Sequence, residues 1–443
     1  MHYQNNINLL KKNYPNIYKT IVKIIPNKNT YEIIKNKTNQ STVKINEKDK
    51  SYFLHSKYNP NREGKNIAEE NFDKSIENYI IFGLGFGYHV GELMAMAPNS
   101  NFHIIETNKE IFRLALYNVD LTNILENNRV KLFVTDDIVE INDILNPVLL
   151  KNNIKIVLHN PSFRIIPDNL LELKYLLEEF KMKEDSIEKF APALEINFKS
   201  NIKNYDKNVD ILFNKYENMP LYLISAGPSL DKNIKELKKV KDKGVILSVG
   251  RAVRPLLKEN IKPDFIIITD PQSFVYNSQL KGLDIDIPLI VLSTCDKNVM
   301  LNYKGQKLIA LQEGYLSAEE YAKLHNHKLV QTGGSVATTA LDVAINMGCN
   351  PIIFVGQDLA YTGGKTHSQD TFSKDMDRYK NLREVKDVYG NTVYSPKNLY
   401  SYLRWIQNRI KIEKDIKFID ATEGGAKIEG TEILSLREVV GKY

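Results

Sequence analysis

Three short stretches set glycine beside hydroxyl, acidic or aromatic residues at the end of an apolar run. In LYLISAGPSLDKNIKEL, a strand-like run stops at Ser225, and Gly227, Pro228 and Ser229 lead into a helical pattern. Gly227 permits close approach, Pro228 suits a first helical turn, and Ser229 offers a hydroxyl beside helix N-terminal amides. A phosphate fits such a turn; so does a plain helix start capped by Ser229. In QTGGSVATTALDVAINMG, Thr332, Gly333, Gly334 and Ser335 precede a helix carrying Ala337, Ala340 and Ala344. That pattern serves an anion-binding nest or close helix packing equally well. GQDLAYTGGKTHS places Gly356, Gln357, Asp358, Tyr361, Lys365 and His367 in a loop after a buried run. An acid, a phenol and an imidazole there make an acid/base and phosphate-contact set.

These stretches need a scaffold that brings them together. The runs LYLIS, GVILSVG, DFIIITD, PLIVLST, KLIALQ and PIIFVGQD are short and unbroken, as strands buried on both faces of a parallel sheet are, with helical segments between several of them. Ligands of such sheets sit at the carboxyl ends of the strands. Gly250 and Arg251, then Asp270 and Gln272, stand at two further strand ends and join the donor-side candidates. After Asp358 the sequence reads as a glycine-rich loop, a Lys/Asp/Tyr-rich helical stretch containing Trp405, and a last strand in KFIDATEGG.

A second glycine turn lies upstream. YIIFGLGFGYHVGELMAMAP gives a strand, Gly83, Gly85 and Gly87, then a helix, and NFHIIETN gives a second strand ending at Glu106. The order describes a Rossmann-like half, either holding a nucleotide or S-adenosylmethionine through Glu106 or serving as a scaffold without ligand. The expected architecture is α/β, with two Rossmann-like domains of mostly parallel sheet, a helical linker and a C-terminal helical region. The expected boundaries are 1–165, a linker at 166–218, a central domain at 219–432 and a tail at 433–443.

Composition narrows the function. The 443 residues carry 60 basic and 54 acidic side chains, dispersed rather than clustered, which does not point to nucleic acid. Only Cys295 and Cys349 are present, far apart, so neither a disulfide framework nor a structural zinc site is indicated. The eight histidines show no metal-binding spacing, no metal is expected, and no P-loop motif occurs. Neither a signal peptide nor a membrane span is apparent, so a cytoplasmic location is expected.

The segments SAGPSLDKNIKEL, IKPDFIIITDPQ, TGGSVATTALDVAINMGCNPIIFVGQDLAYTGGKTHS and DATEGGAKIEGTE, with the upstream GLGFGYHVG block, resemble the motility-associated factor (Maf) glycosyltransferases. The resemblance implies transfer of a nonulosonic, sialic-acid-like sugar such as pseudaminic or legionaminic acid. The donor would be CMP-activated and the acceptor Ser or Thr of flagellin, with no other cofactor. The central domain is similar to bacterial sialyltransferases, in which turns matching Gly227–Ser229 and Thr332–Ser335 embrace CMP. A strand end matching Gly356, Asp358 and Tyr361 contacts the phosphate. Ala226 stands where those enzymes carry an asparagine. On this likeness Asp358 and His367 are the catalytic-base candidates. Two alternatives stay open: a pyrophosphoryl transferase acting on a hydroxymethylpterin, as archaeal enzymes of similar central domain do, and a non-catalytic flagellin-binding chaperone.

Overall fold

The computed structural model describes residues 2–47, 50–138, 140–141, 153–240, 243–361 and 382–443. It divides into two compact units, Met1–Glu178 and Glu179–Tyr443. Among the described residues no helix is long and apolar enough to cross a membrane.

The first unit opens with helices α1 (His2–Asn13) and α2 (Pro15–Ile21), followed by an antiparallel sheet of β1 (Tyr31–Lys35), β2 (Ser41–Glu47) and β3 (Lys50–Phe53). Helix α3 (Pro60–Asn71) leads to β4 (Asn78–Phe82), α4 (Tyr88–Met96), β5 (Asn101–Glu106), α5 (Lys109–Asn118), β6 (Val130–Val134) and β7 (Ile154–Leu158). Strands β4 to β7 form a parallel sheet in the order β6-β5-β4-β7. The all-apolar interior of β4, buried at every position, places it at the centre.

At the carboxyl end of this sheet three buried imidazoles stack. The His159 ring lies 4.6 Å from His55 and 4.5 Å from His89, centroid to centroid. His55 Nε2 accepts the Phe86 N–H (2.9 Å), so its proton sits on Nδ1, which faces Glu63 Oε2 at 3.3 Å. His89 Nε2 donates to Gly83 O, and His159 Nδ1 bonds Ser162 Oγ at 2.7 Å. Tyr88 meets His55 edge-on. The glycine turn therefore packs on rings: a Cβ on Gly85 would stand 2.7 Å from His55 Nε2, and Gly85 has φ +54.

The long helix α6 (Leu171–Asn201) contains the boundary between the units. The second unit holds a ten-stranded sheet built from β8 (Lys207–Asn208), β9 (Leu221–Ile224), β10 (Val245–Val249), β11 (Phe265–Ile268), β12 (Leu289–Leu292), β13 (Lys307–Gln312), β14 (Leu329–Val330), β15 (Ile352–Val355), β18 (Phe418–Asp420) and β19 (Glu432–Ile433). The path runs β14-β13-β12-β11-β10-β9-β15-β18-β19, with β8 paired to β13, and the pairings are parallel. The chain winds outward from β9 in one direction and returns on its other side at β15, so the topological switch lies between β9 and β15. The six apolar runs read as strands occupy β9 to β13 and β15.

Three local elements differ from the sequence reading. After the Gly227 turn the helix α7 (Leu230–Asn233) lasts one turn before tightening into 3₁₀ at Ile234–Lys239, so no long helix starts there. Between Asp358 and Trp405 the described residues begin with an antiparallel hairpin, β16 (Arg383–Lys386) and β17 (Thr392–Ser395). Val385 pairs with Val393, and Gly390 has φ +87 in its turn. The cross-strand pairing of the two valines and the Tyr-Gly turn between them override the helical reading of this part. The end of the chain forms a helix, Leu436–Lys442, capped by Ser435 and Glu438, with Leu436, Val439 and Val440 buried in the core of the second unit.

Burial lowers the basicity of all three stacked histidines, that of His89 to about 3, against 6.5 for an ordinary imidazole. They stay neutral in the fold, while the unfolded chain protonates them below about pH 6.5, so their contribution is complete above that pH and is lost as pH falls. Burial raises Glu106 to about 7 from 4.5, which acts in the opposite sense: its contribution is lost as pH rises through 7. On acidification below about pH 6.5 the three histidines therefore withdraw stability while Glu106 opposes them, and the first unit should become less stable. Hydrogen exchange should show the protection of the Gly85 and Phe86 amides collapsing between pH 7 and 5.5. Constant protection factors there would refute this.

Candidate active site

The carboxyl ends of β9 and β15 are fastened to each other by hydrogen bonds. Ser225 N donates to Val355 O (2.8 Å) and Gly227 N to Gly356 O (2.9 Å). The Ser225 hydroxyl donates to Gln357 Oε1. Past them, Asp358 Oδ2 accepts both the Ser229 hydroxyl (2.6 Å) and the Ser229 N–H (3.2 Å), with Ser229 and Asp358 both buried. Gly227 is required by this closure, because a Cβ would stand 1.9 Å from Asp358 Oδ2 and 2.5 Å from Gly356 O. Gly356 is required too: its φ is +68, and a Cβ would meet Ser225 O at 2.4 Å.

The loop after β15 is held from outside by residues the sequence reading did not single out. Asp358 O accepts the Ala426 N–H at 2.6 Å, and Gly425 leaves no room for a side chain against Asp358. Gln357 N donates to Thr422 Oγ1 (3.3 Å), Tyr361 N to Tyr394 O (2.9 Å), and Ser395 Oγ to Leu359 O (2.7 Å). Burial pushes the neighbouring Asp420 carboxyl up to about 6, and the charge of Asp358 adds to the shift. The ATEGG segment after Asp420 was visible only as a strand end; its contact with Asp358 depends on β18 lying beside β15.

The second glycine turn is organised differently. Ser335 and Thr338 form a capping box at the start of Val336–Asn346, and Thr338 Oγ1 accepts the N–H groups of Gly333 (3.0 Å) and Ser335 (3.2 Å). A Cβ on Gly333 would collide with Trp405 at 2.4 Å. Gly334 has φ +88, and a Cβ there would stand 3.3 Å from the ring edge of Tyr402. Trp405 and Tyr402 belong to the helix Lys397–Ile412, which an Arg409–Asp342 ion pair of 3.1 Å ties to Val336–Asn346. Burial raises the Tyr402 phenol, its bond with Asn398 opposes this, and the charge of Asp270 adds to the rise. Tyr402 thus lies within electrostatic reach of Asp270 at the end of β11, where Asp270 Oδ1 accepts Gln272 N at 3.0 Å. Aromatic side chains one helical turn apart were the available signal for this pair.

The remaining candidates fall at the same edge of the sheet. Gly250 ends β10 with the Gln279 amide against it, and Arg251, Pro228 and Thr332 are half-buried. His367 and Lys365 lie outside the described residues. Upstream, the Gly83–Gly87 turn is filled by the chain's own groups: Gly85 N donates to Glu106 Oε2 at 2.9 Å and Phe86 N to His55. Among the described residues no cluster of three or more His, Cys, Asp or Glu is arranged to hold a metal ion.

Residues 26–160 match the family model described as the glycosyltransferase Maf N-terminal domain, and residues 196–364 match the 6-hydroxymethylpterin diphosphokinase MptE-like model. The Maf model lies within the first unit and the MptE-like model within the second. The fold of this chain is similar to that of a solved Maf glycosyltransferase from Magnetospirillum magneticum AMB-1, with TM-score 0.50 and 16% identity, covering 98% of this chain and 74% of that one. No curated protein matches it.

The Ser229–Asp358 bond is buried and charge-assisted, so its loss should be felt in stability. Ser229→Ala is expected to cost about 2 kcal/mol in urea unfolding, and a double-mutant cycle with Asp358→Asn should return a coupling above about 1 kcal/mol. Additive effects would show that the two side chains act independently.

Proposed function

We propose that this chain is a glycosyltransferase of the Maf kind, which transfers a nonulosonic acid from a CMP-activated donor to Ser or Thr hydroxyls of flagellin in the cytoplasm. The observation that carries the reading is the pairing, in one chain, of a Maf N-terminal domain with a doubly wound sheet whose polar residues gather at the carboxyl ends of β9, β10, β11 and β15. In the reaction the acceptor oxygen attacks the anomeric carbon, the bond from that carbon to the phosphate oxygen breaks, and CMP leaves with its electron pair. Positive charge develops on the sugar, and a base takes the acceptor proton.

The site geometry refines the residue roles. Asp358 already takes the Ser229 N–H, and Thr338 those of Gly333 and Ser335, so on this reading the phosphate is assigned to the Thr332 hydroxyl and the positive charge of Arg251, with Asp270, Gln272 and Tyr402 towards the nucleoside. Asp358 and His367 remain the base candidates, and Tyr361 a phosphate contact. Pyrophosphoryl transfer to a hydroxymethylpterin is the second reading, favoured by the description of the model matching residues 196–364.

Calorimetry separates the two: CMP at millimolar concentration should bind and raise the unfolding temperature, whereas binding of a hydroxymethylpterin without CMP would reverse the order. In cells lacking the native gene, Asp358→Asn and His367→Ala supplied at matched protein level should each lower flagellin glycosylation by about 100-fold or more, with Tyr361→Phe milder. Ser229→Ala is the control. If it matches Asp358→Asn, Asp358 only fastens the turn; full glycosylation by both base variants would remove this loop from the chemistry.

A further inference from the structure

The end of the helix Leu171–Asn201 carries two buried asparagines, Asn197 and Asn201, one helical turn apart. Their side chains do different things. The Asn197 amide donates to Pro271 O (3.0 Å) and Thr294 O (3.2 Å), while its Oδ1 accepts the Lys297 N–H at 3.2 Å. Asn201 donates only to Ser293 O (3.0 Å) and Cys295 O (2.8 Å), both in the turn after β12. Asn197 alone therefore bridges that turn and the loop after β11.

The bridged loop is the one that carries Asp270 and Gln272. Pro271 lies between them and, as a proline, offers no N–H with which to anchor itself; its carbonyl is the handle that Asn197 grips. A second tie, Asp296 N to Asp270 O at 3.0 Å, runs from the same turn after β12. Asp296 in turn caps the helix Lys297–Asn302. With Asn197 removed, the Pro271 and Thr294 carbonyls and the Lys297 N–H lose this partner, and the Asp270 loop keeps its ties to Asp296.

We infer that Asn197 is a positioning residue for the donor site: by tying Pro271 to the Thr294–Lys297 turn it fixes where Asp270 and Gln272 meet the nucleotide. The inference rests on the donor reading above. It concerns a residue that touches no substrate, so stability alone does not test it. The discriminating comparison is Asn197 with Asn201, which are buried alike and hold the same neighbouring turn but differ in reach.

The experiment measures three properties of the full chain in Asn197→Ala, Asn197→Ser and Asn201→Ala: unfolding temperature, CMP affinity by calorimetry, and hydrogen exchange at the Gln272 amide. Both alanine variants should lose stability. Only the Asn197 variants should raise the CMP dissociation constant, by about tenfold for alanine, and speed exchange at Gln272 by a similar factor; Asn201→Ala should stay within about twofold in both. Asn197→Ser, which keeps one donor, should fall between and provides a readable variant if the alanine form does not fold. Equal effects of Asn197 and Asn201 on affinity and exchange would overturn the inference and leave both as structural. Failure of the unaltered protein to bind CMP would sink the donor reading, and the positioning of a donor with it, whereas selective exchange at Gln272 would show that Asn197 still holds the loop.

Discussion

The second unit turns on one buried contact, the Asp358 carboxylate against the Ser229 hydroxyl and N–H. A carboxylate is costly to bury and is tolerated where donors meet it. Here the donors come from the connection after β9 and the acid from the connection after β15, so the bond closes the seam at which the winding direction reverses. Gly227 and Gly356 follow from it, because a side chain at either would push the two loops apart. The hairpin Arg383–Ser395 and the segment around Gly425 then press on the outside of the same loop.

This arrangement explains why an open sheet can present a rigid edge. Strand ends in a parallel sheet have no further ladder to hold them, and their loops must find other partners. The chain supplies side chains for the purpose: Thr338 for the Gly333 turn, Asn197 for the Asp270 loop, Thr422 and Ser395 for the loop after β15. In the first unit His55 and Glu106 do the same for the Gly83 turn. Groups that resemble ligand-binding turns in sequence are thus partly satisfied from within, and a ligand of the second unit must meet what these bonds leave facing outward.

Much of the fold was legible in the sequence because it rests on local patterns. Unbroken runs such as FIII and LIVL have few alternatives to buried parallel strands, and glycine at the end of such a run marks the turn. The positions of Gly227, Asp358 and Gly333 at strand and helix ends were readable for the same reason. Their partners were not. Asn197 is 74 residues from Pro271 and Ser229 is 129 from Asp358, and nothing in the spacing of an amide or an acid announces a contact across that distance. The hairpin after the masking influence of charged residues was likewise missed, since Arg383–Ser395 alternates only weakly and its composition resembles an exposed helix.

Trp405 is the sole tryptophan of the chain, and its indole fills the space above Gly333. The intrinsic ultraviolet emission of the whole protein therefore originates largely at one turn, where the helix Lys397–Ile412 leans on the start of Val336–Asn346. Any event that parts those two helices wets the indole and moves its spectrum to the red. The protein carries an optical gauge of its own crevice wall, with no label to attach.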